Sequence, residues 1–140
     1  MASKVASSVV GVDPARVMLD VARLTVRRKN VQWAHGSAEA LPVGDGSATV
    51  VWSLSAVHHW DDIDAGLAEV LRVLAPAGRF VAIEGAIEPG ATGLLSHGWT
   101  RPQADSFAEM AGAAGFSDVD VVERRIGDRL VYAVGHVART

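Results

Sequence analysis

Short apolar segments alternate with amphipathic segments along the 140 residues, and this alternation leaves few folds open. Runs rich in β-branched residues recur, and most are followed by a stretch in which apolar residues have helical spacing. Parallel strands need a long crossover connection, for which a helix is the usual solution. The order therefore predicts an α/β fold with an open, mostly parallel sheet.

The predicted strands cover residues 8–12, 31–35, 48–54, 79–84, 119–126 and 130–137. The last two are joined only around Gly127 and Asp128, and so short a connection makes them an antiparallel hairpin. The sheet is thus expected to be parallel through its first four strands and to end in an antiparallel hairpin.

The predicted helices cover residues 14–29, residues 63–74 and the segment around 107–114. Asp61 or Asp62 is expected to cap the second helix, because Asp is a favoured N-cap residue. The basic residues 27–29 are expected in the last turn of the first helix, where the helix dipole favours cations. Gly115 is expected to end the third helix, because glycine readily adopts the left-handed conformation there.

Composition excludes several classes of function. The net charge of −3 argues against a nucleic-acid partner held mainly through phosphate contacts. The chain has no cysteine, which rules out disulfides, thiol nucleophiles and cysteine-ligated zinc. Its longest apolar stretch, residues 48–57, is too short for a membrane-spanning helix, and the N-terminus has no signal-peptide layout. We therefore expect one cytoplasmic domain over residues 1–140.

Several short strings occur in a characteristic order. They are Val10-Gly11-Val12-Asp13-Pro14 with Met18-Leu19 following, the segment 36–42 (GSAEALP), His58-His59-Trp60-Asp61, the segment 69–80 (EVLRVLAPAGRF) and Ala114-Gly115-Phe116. As an ordered set the strings resemble the class I S-adenosylmethionine-dependent methyltransferases, in particular the small-molecule group that includes quinone-biosynthesis enzymes. The resemblance implies a Rossmann-like sheet, S-adenosylmethionine as cofactor and a small-molecule methyl acceptor.

Asp13 ends a predicted strand and precedes a predicted helix. Ligands of open α/β sheets bind outside the carboxyl ends of the strands, so Asp13 stands at the expected edge. Its carboxylate can accept from ribose hydroxyls or cap the helix, and one side chain can do both. The resemblance favours the ribose role. It also implies the other cofactor-binding candidates, which are Pro14, Met18, Ser37, Ala38, Glu39, Ser53, Leu54 and Ser55.

Several of these candidates also have a plainer interpretation. Met18 packs either on an adenine face or in the core. Ser37 stands where the family often has Asp, so only a neutral hydroxyl is available to accept from the adenine amino group, while Glu39 can point to solvent. Residues 53–55 face the amino-acid end of the cofactor through their backbone or simply close a strand.

His58 and His59 are the candidate general bases, because histidine titrates near neutral pH and the pair lies beside the predicted cleft. Adjacent residues on an extended segment cannot both face one site, so one of the two is expected to pack or cap. Trp60 is expected to pack under the following helix. The spacing around these histidines is not that of a metal site, and none is expected.

Residues 85–101 are expected to cover the acceptor side of the cleft. The candidates for lining it are Glu84, His97, Trp99 and Arg101, and their spacing does not select among them.

The family's sheet normally begins with a strand and a glycine-rich turn ahead of the strand that ends in Asp13. Met1–Ala6 resembles the tail of the helix that follows this turn, so an N-terminally truncated, incomplete domain is expected. The absent strand would lie between strands 8–12 and 48–54. Three outcomes are open: a longer natural protein, direct pairing of these two strands, or a homodimer in which a second copy completes the sheet.

Two further functions remain as alternatives. One is a non-catalytic, degenerate methyltransferase-like domain that acts through self-association or protein association, which the missing glycine loop favours. The other is a generic dinucleotide-binding domain, which the C-terminal hairpin and the order of the strings fit less well.

Overall fold

The computed structural model describes residues 6–127 and 129–138, without the side chains of residues 94, 95, 129 and 136–138. Its strands are β1 (Val9–Asp13), β2 (Val31–His35), β3 (Ala48–Leu54), β4 (Leu74–Gly85), β5 (Phe116–Ile126) and β6 (Arg129–Ala138). Its helices are α1 (Arg16–Thr25), α2 (Ile63–Val73) and α3 (Arg101–Ala114), with short 3₁₀ turns at Val57–His59 and Gly93–Ser96. The expected helix tail at the N-terminus falls mostly on residues outside the described ones.

The strands form two groups. β1 pairs with β2 in parallel, and the other four follow the order β3-β4-β6-β5. β3 and β4 are parallel, whereas β6 is antiparallel to both of its neighbours, β4 and β5. The predicted combination of parallel strands and a C-terminal hairpin is confirmed.

β1 and β3 do not pair with each other within the described residues. Direct pairing of these two strands, one of the three expected outcomes, is therefore wrong for this part of the chain. Each strand keeps one edge without a ladder partner there, and β3 exposes Val50, Trp52 and Leu54, the last at 65% of its surface. Unpaired edges with exposed apolar side chains are sites where another strand can add.

Helix α1 is shorter than predicted at both ends. Asp13 Oδ1 accepts from the N–H of Ala15 at 2.7 Å, which forms a local turn and delays the helix to Arg16. At the other end Thr25 Oγ1 donates to the carbonyl of Val21 at 2.9 Å, and this competition with the helical pattern accompanies the end of α1. The basic residues 27–29 therefore follow the helix instead of occupying its last turn, and the prediction for them is wrong.

The apolar side of α1 is exposed. Leu19 is its buried residue, while residues at helical spacing remain open to solvent: Val17, Val21 and Leu24. The sequence predicted the helix and its amphipathic pattern correctly, yet no described element covers this stripe.

The ends of α2 and α3 follow ordinary capping chemistry. Asp62 caps α2 by accepting from the N–H of Ala65 at 3.0 Å, which decides between the two predicted caps. Thr100 and Gln103 form a capping box that starts α3 earlier than predicted. Gly115 ends α3 with φ of 119°, as predicted.

The main core lies where α2 and α3 pack on the four-stranded sheet, around Phe80, Phe107 and Phe116. Trp60 packs against α2 as predicted, since a Cβ at Gly66 would overlap its indole ring. The same indole stacks toward Phe80 with ring centroids 6.4 Å apart. Within the described residues, no helix has both the length and the apolar character needed to cross a membrane.

Candidate active site

A cleft of about 840 Å³ opens beside the carboxyl ends of β3 and β4. One wall is the 3₁₀ turn that follows β3, with His58 and His59, and continues to Trp60. The opposite wall comes from the loop after β4 and from the start of α3, including His97 and Phe107. The cleft has the size typical of small-molecule sites.

Glu84, near the end of β4, holds the 3₁₀ turn of the first wall in place from the protein interior. It has no exposed surface, and its Oε1 accepts from the backbone N–H groups of Ala56 and Val57 at 2.9 and 2.8 Å. Its other oxygen, Oε2, lies 2.7 Å from Nδ1 of His58. Because carboxylate oxygens only accept, Nδ1 carries the proton and Nε2 of a neutral His58 is left with its lone pair.

Three imidazoles converge at the mouth of the cleft. The ring centroids of His58 and His59 are 4.0 Å apart, and those of His97 lie 5.5 and 5.4 Å from these two rings. The segment is a 3₁₀ turn and not extended, so the expectation that adjacent histidines cannot face one site is wrong. His97, 39 residues from His58, joins them because Gly98 allows the loop to pass against the backbone of Gly85.

The four residues proposed to line the acceptor side occupy three different environments. His97 and Trp99 line the cleft, and Trp99 is 5% exposed. Glu84 lies buried behind the wall and acts through its three N–H partners. Arg101 is exposed and pairs with Asp105 at 2.8 Å on the surface of α3, outside the described lining of the cleft.

Asp13 closes β1 at the carboxyl edge. One of its oxygens, Oδ1, accepts from Ala15, while the described residues give Oδ2 no partner. Asp13 therefore forms a local turn before α1 and does not cap the helix itself. Its second carboxylate oxygen remains available to accept a hydrogen bond from a ligand. Met18, in the first turn of α1, is 53% exposed, so within the described residues it is not a core residue. Between them, Pro14 is exposed, and its carbonyl lies 3.0 Å from Nε2 of His35.

Ser37, Ala38 and Glu39 form the turn after β2. The Glu39 carboxylate accepts from the N–H of Asp61 at 3.0 Å and does not simply point to solvent. Partial desolvation raises the pKa of Glu39, but hydrogen bonds from backbone N–H groups and from Ser37 outweigh it and hold the pKa below its usual value. This contact joins the loop after β2 to the loop after β3. With its proton donated to Glu39, the Ser37 hydroxyl presents lone pairs to a ligand.

The end of β3 carries the remaining cofactor candidates. Ser53 Oγ is buried without a hydrogen-bond partner among the described residues. Leu54 is largely exposed, and Ser55 has φ of 49°, an uncommon conformation for a residue with a side chain. The backbone N–H of Ser55 donates to Ile83 at 2.8 Å, which fixes this turn against β4.

Arg72 on α2 holds the loop that leads into β3, and sequence reasoning missed it. Its guanidinium donates to the carbonyls of Leu41 and Val43, both at 2.9 Å. It also pairs with Asp45 and with both oxygens of Glu69, at 2.7 Å each. The hydrogen bond from Arg72 lowers the pKa of Glu69 to about 2, against partial desolvation, with further help from the N–H of Leu41.

Known proteins share this fold. The solved structure of YcgJ from Bacillus subtilis superposes on 99% of this chain and 86% of its own, with a TM-score of 0.71 and 17% identity. That of phosphoethanolamine N-methyltransferase 2 from Haemonchus contortus, in complex with S-adenosylhomocysteine, covers 99% of this chain and 45% of its own, with a TM-score of 0.77 and 16% identity. The fold is that of the Rossmann-like methyltransferases.

Sequence comparison adds the family. Residues 1–82 match the model described as a methyltransferase domain. YcgJ, named as a methyltransferase, is 36% identical over 78 residues, which are 54% of this chain and 31% of YcgJ. Demethylmenaquinone methyltransferase from Thermus thermophilus is 38% identical over 92 residues, which are 64% of this chain and 42% of that enzyme. The chain thus spans less than half the length of these curated relatives, and it belongs to the class I S-adenosylmethionine-dependent methyltransferase family.

Proposed function

We propose that this chain transfers a methyl group from S-adenosylmethionine to a small-molecule acceptor held in the cleft beside His58, His59 and His97. The cofactor supplies a methyl group already activated on a sulfonium sulfur. The main task left to the protein is to hold the acceptor atom in contact and in line with that methyl group.

The described residues fit an adenosyl nucleoside. The spare oxygen of Asp13 is a suitable acceptor for a ribose hydroxyl at the carboxyl edge of β1. The lone pairs of Ser37 suit an adenine amino group, and exposed Met18 offers an apolar surface for the ring. The buried, unpaired hydroxyl of Ser53 is a polar atom that a ligand would satisfy. Ala38, Glu39, Pro14, Leu54 and Ser55 are proposed to shape the same edge.

The main observation in support of an acceptor site in this cleft is the fixed orientation of His58. Glu84 anchors Nδ1, so the lone pair on Nε2 faces the cleft mouth, where it can take a proton from an acceptor hydroxyl or carbon acid. His59, more exposed, is proposed to contact the acceptor directly. The names of one relative and one structural neighbour are in keeping with a small acceptor, since the relative is a demethylmenaquinone methyltransferase and the neighbour's structure is a complex with phosphomonomethylethanolamine.

The experiment that tests this function is calorimetric titration of S-adenosylmethionine and S-adenosylhomocysteine into the folded chain. Asp13→Ala should weaken binding at least about tenfold, the usual loss for a hydrogen bond to a charged group. Asp20→Ala, on the solvent side of α1, removes an equal charge and should leave binding unchanged. Equal affinity in the Asp13 variant would remove Asp13 from the site, and no heat from the folded chain would remove cofactor binding altogether.

The alternative function is that of a domain that acts through association without catalysis. Membership of the methyltransferase family does not favour this alternative. One observation nevertheless supports a homodimer, namely the unpaired edges of β1 and β3 with exposed Trp52 and Leu54. A second copy that adds a strand to such an edge would pair its free backbone groups. Such a dimer is compatible with methyl transfer, since the histidine cleft lies at the ends of β3 and β4 and not along the open edges.

A further inference from the structure

His58, His59 and His97 form a cluster that the methyl-transfer proposal uses only in part. Their ligating nitrogens all lie within 4.8 Å of one another. His58 is largely buried at its base, whereas the other two are exposed at the cleft mouth. Three imidazoles this close present several lone pairs to one small volume, an arrangement that a cation satisfies.

The distance between two of these nitrogens fits a shared ion better than a direct hydrogen bond. Nε2 of His58 and Nδ1 of His97 are 3.4 Å apart. Ordinary hydrogen bonds from N–H groups are about 2.9–3.0 Å long, so this contact is a poor one. Two imidazole nitrogens bound about 2.0–2.1 Å from one tetrahedral zinc ion lie roughly 3.3–3.4 Å apart, which matches the observed spacing.

Glu84 supplies the support that metal-binding histidines usually have. A ligating imidazole typically donates its other N–H to a carboxylate or a carbonyl, which fixes the tautomer and aims the ligating nitrogen. Glu84 does this for His58 at 2.7 Å, and it is itself held by the N–H groups of Ala56 and Val57. The first ligand is thus oriented before any ion arrives.

We propose that His58, His59 and His97 bind one divalent ion of the zinc type, with its fourth position open to the cleft. Imidazole ligands suit zinc and the neighbouring late transition metals better than magnesium or calcium. Since all three ligands are neutral, the ion keeps its full charge and can bind an acceptor oxygen. With the ion bound, His58 serves as a ligand, and it remains a base only in the metal-free chain. Binding of the ion goes beyond the proposed methyl transfer and does not depend on it.

The test is zinc titration into the 140-residue chain, purified without a polyhistidine tag and stripped with a chelator, in the absence of cofactor and acceptor. Wild type should bind one ion per chain, and cobalt in its place should give the strong visible absorption of a four-coordinate nitrogen site. His97→Ala should weaken zinc binding by more than the roughly 10–100-fold that loss of an outer partner causes. Glu84→Gln should fall within that range.

The controls separate this site from adventitious binding. His35 lies outside the cluster, with its Nε2 beside the carbonyl of Pro14, so His35→Ala should bind zinc like wild type. His97 is exposed in a loop, so its replacement should leave the circular dichroism spectrum unchanged. Absence of zinc binding by the folded wild type, or equal affinity in His97→Ala, would overturn the site. Neither result bears on cofactor binding, which is measured separately with S-adenosylhomocysteine.

Discussion

Glu84 and His58 are separated by 26 residues in the sequence and joined by a 2.7 Å contact between Oε2 and Nδ1. Glu84 lies near the end of β4, and His58 lies in the turn after β3. The contact therefore links the ends of two neighbouring parallel strands through a fully buried carboxylate. It decides which nitrogen of His58 faces the cleft, and with it the chemistry available there.

The first prediction concerns this carboxylate. In Glu84→Gln one oxygen becomes an NH₂ group, so the charged bonds are lost and His58 loses its fixed tautomer. We expect the free energy of unfolding to fall by about 1–3 kcal/mol, measured by urea denaturation. The nitrogen chemical shifts of the His58 ring should change with it. Glu109→Gln, on the exposed side of α3, should alter neither quantity. A wild-type tautomer in the Glu84 variant would contradict the assigned role.

The second prediction concerns pH and Glu69. Its pKa is lowered from 4.5 to about 2 in the folded chain by the hydrogen bond to Arg72. A lowered folded-state pKa adds stability above the unfolded-state value and loses it as the pH falls through the folded-state value. The difference in unfolding free energy between wild type and Glu69→Gln should be constant from pH 7 to about 5 and shrink between pH 4.5 and about 2. A difference that grew as the solution became more acidic would refute the assignment.

The third prediction concerns two glycines with opposite expectations. Gly11 lies opposite Trp33 in the β1–β2 pair, and an added Cβ would overlap the indole ring. Gly11→Ala should therefore lower the unfolding free energy by about 1–3 kcal/mol. At Gly112 in α3 an added Cβ meets nothing within 4 Å, so Gly112→Ala should raise it by about 0.5–1 kcal/mol. Calorimetric melting of both variants checks the two signs, and equal shifts would mean that the Trp33 contact is unimportant.

The fourth prediction concerns the homodimer. If a second copy adds to the edge of β3, the molar mass from light scattering should be twice that of the chain, 14.7 kDa. Trp52→Lys places a charge on that edge and should return the chain to a monomer. Ile126→Lys, which alters another exposed apolar residue, at the end of β5, should leave the mass unchanged. A wild type that is monomeric at every concentration would exclude association through this edge.

The sequence was sufficient wherever local chemistry decides the structure. Gly115 was predicted to end α3, and Asp61 or Asp62 to start α2, because capping depends on residues within one turn. The capping box of Thr100 and Gln103 carries an equally local signal, which the sequence interpretation overlooked. The boundaries of α1 were missed because Asp13 forms a local turn with Ala15 and the backbone becomes extended at Val26, and helical periodicity reports neither.

The histidine cluster shows what a local pattern cannot reveal. His97 lies in a glycine-rich stretch whose path is set by the close approach of Gly98 to the backbone of Gly85. The residues around His97 in the sequence therefore do not predict that it contacts His58 and His59. In the sequence, Glu84 looks like an ordinary residue at the end of a strand. Its contact with His58 becomes visible only once β3 and β4 are known to be neighbours. The residue spacing around His58 contains no metal motif, but spacing does not detect a partner that lies 39 residues away in the sequence.

Arg72 has a consequence for how this protein can diverge. It holds the loop before β3 through the side chain of Asp45 and through the carbonyl oxygens of Leu41 and Val43, and a carbonyl oxygen is present in every amino acid. The side chain at position 43 can therefore change without loosening these two bonds, whereas replacement of Arg72 removes both. A library that varies residue 43 freely should keep most of its members folded, because the loop is held there from a residue of the neighbouring helix.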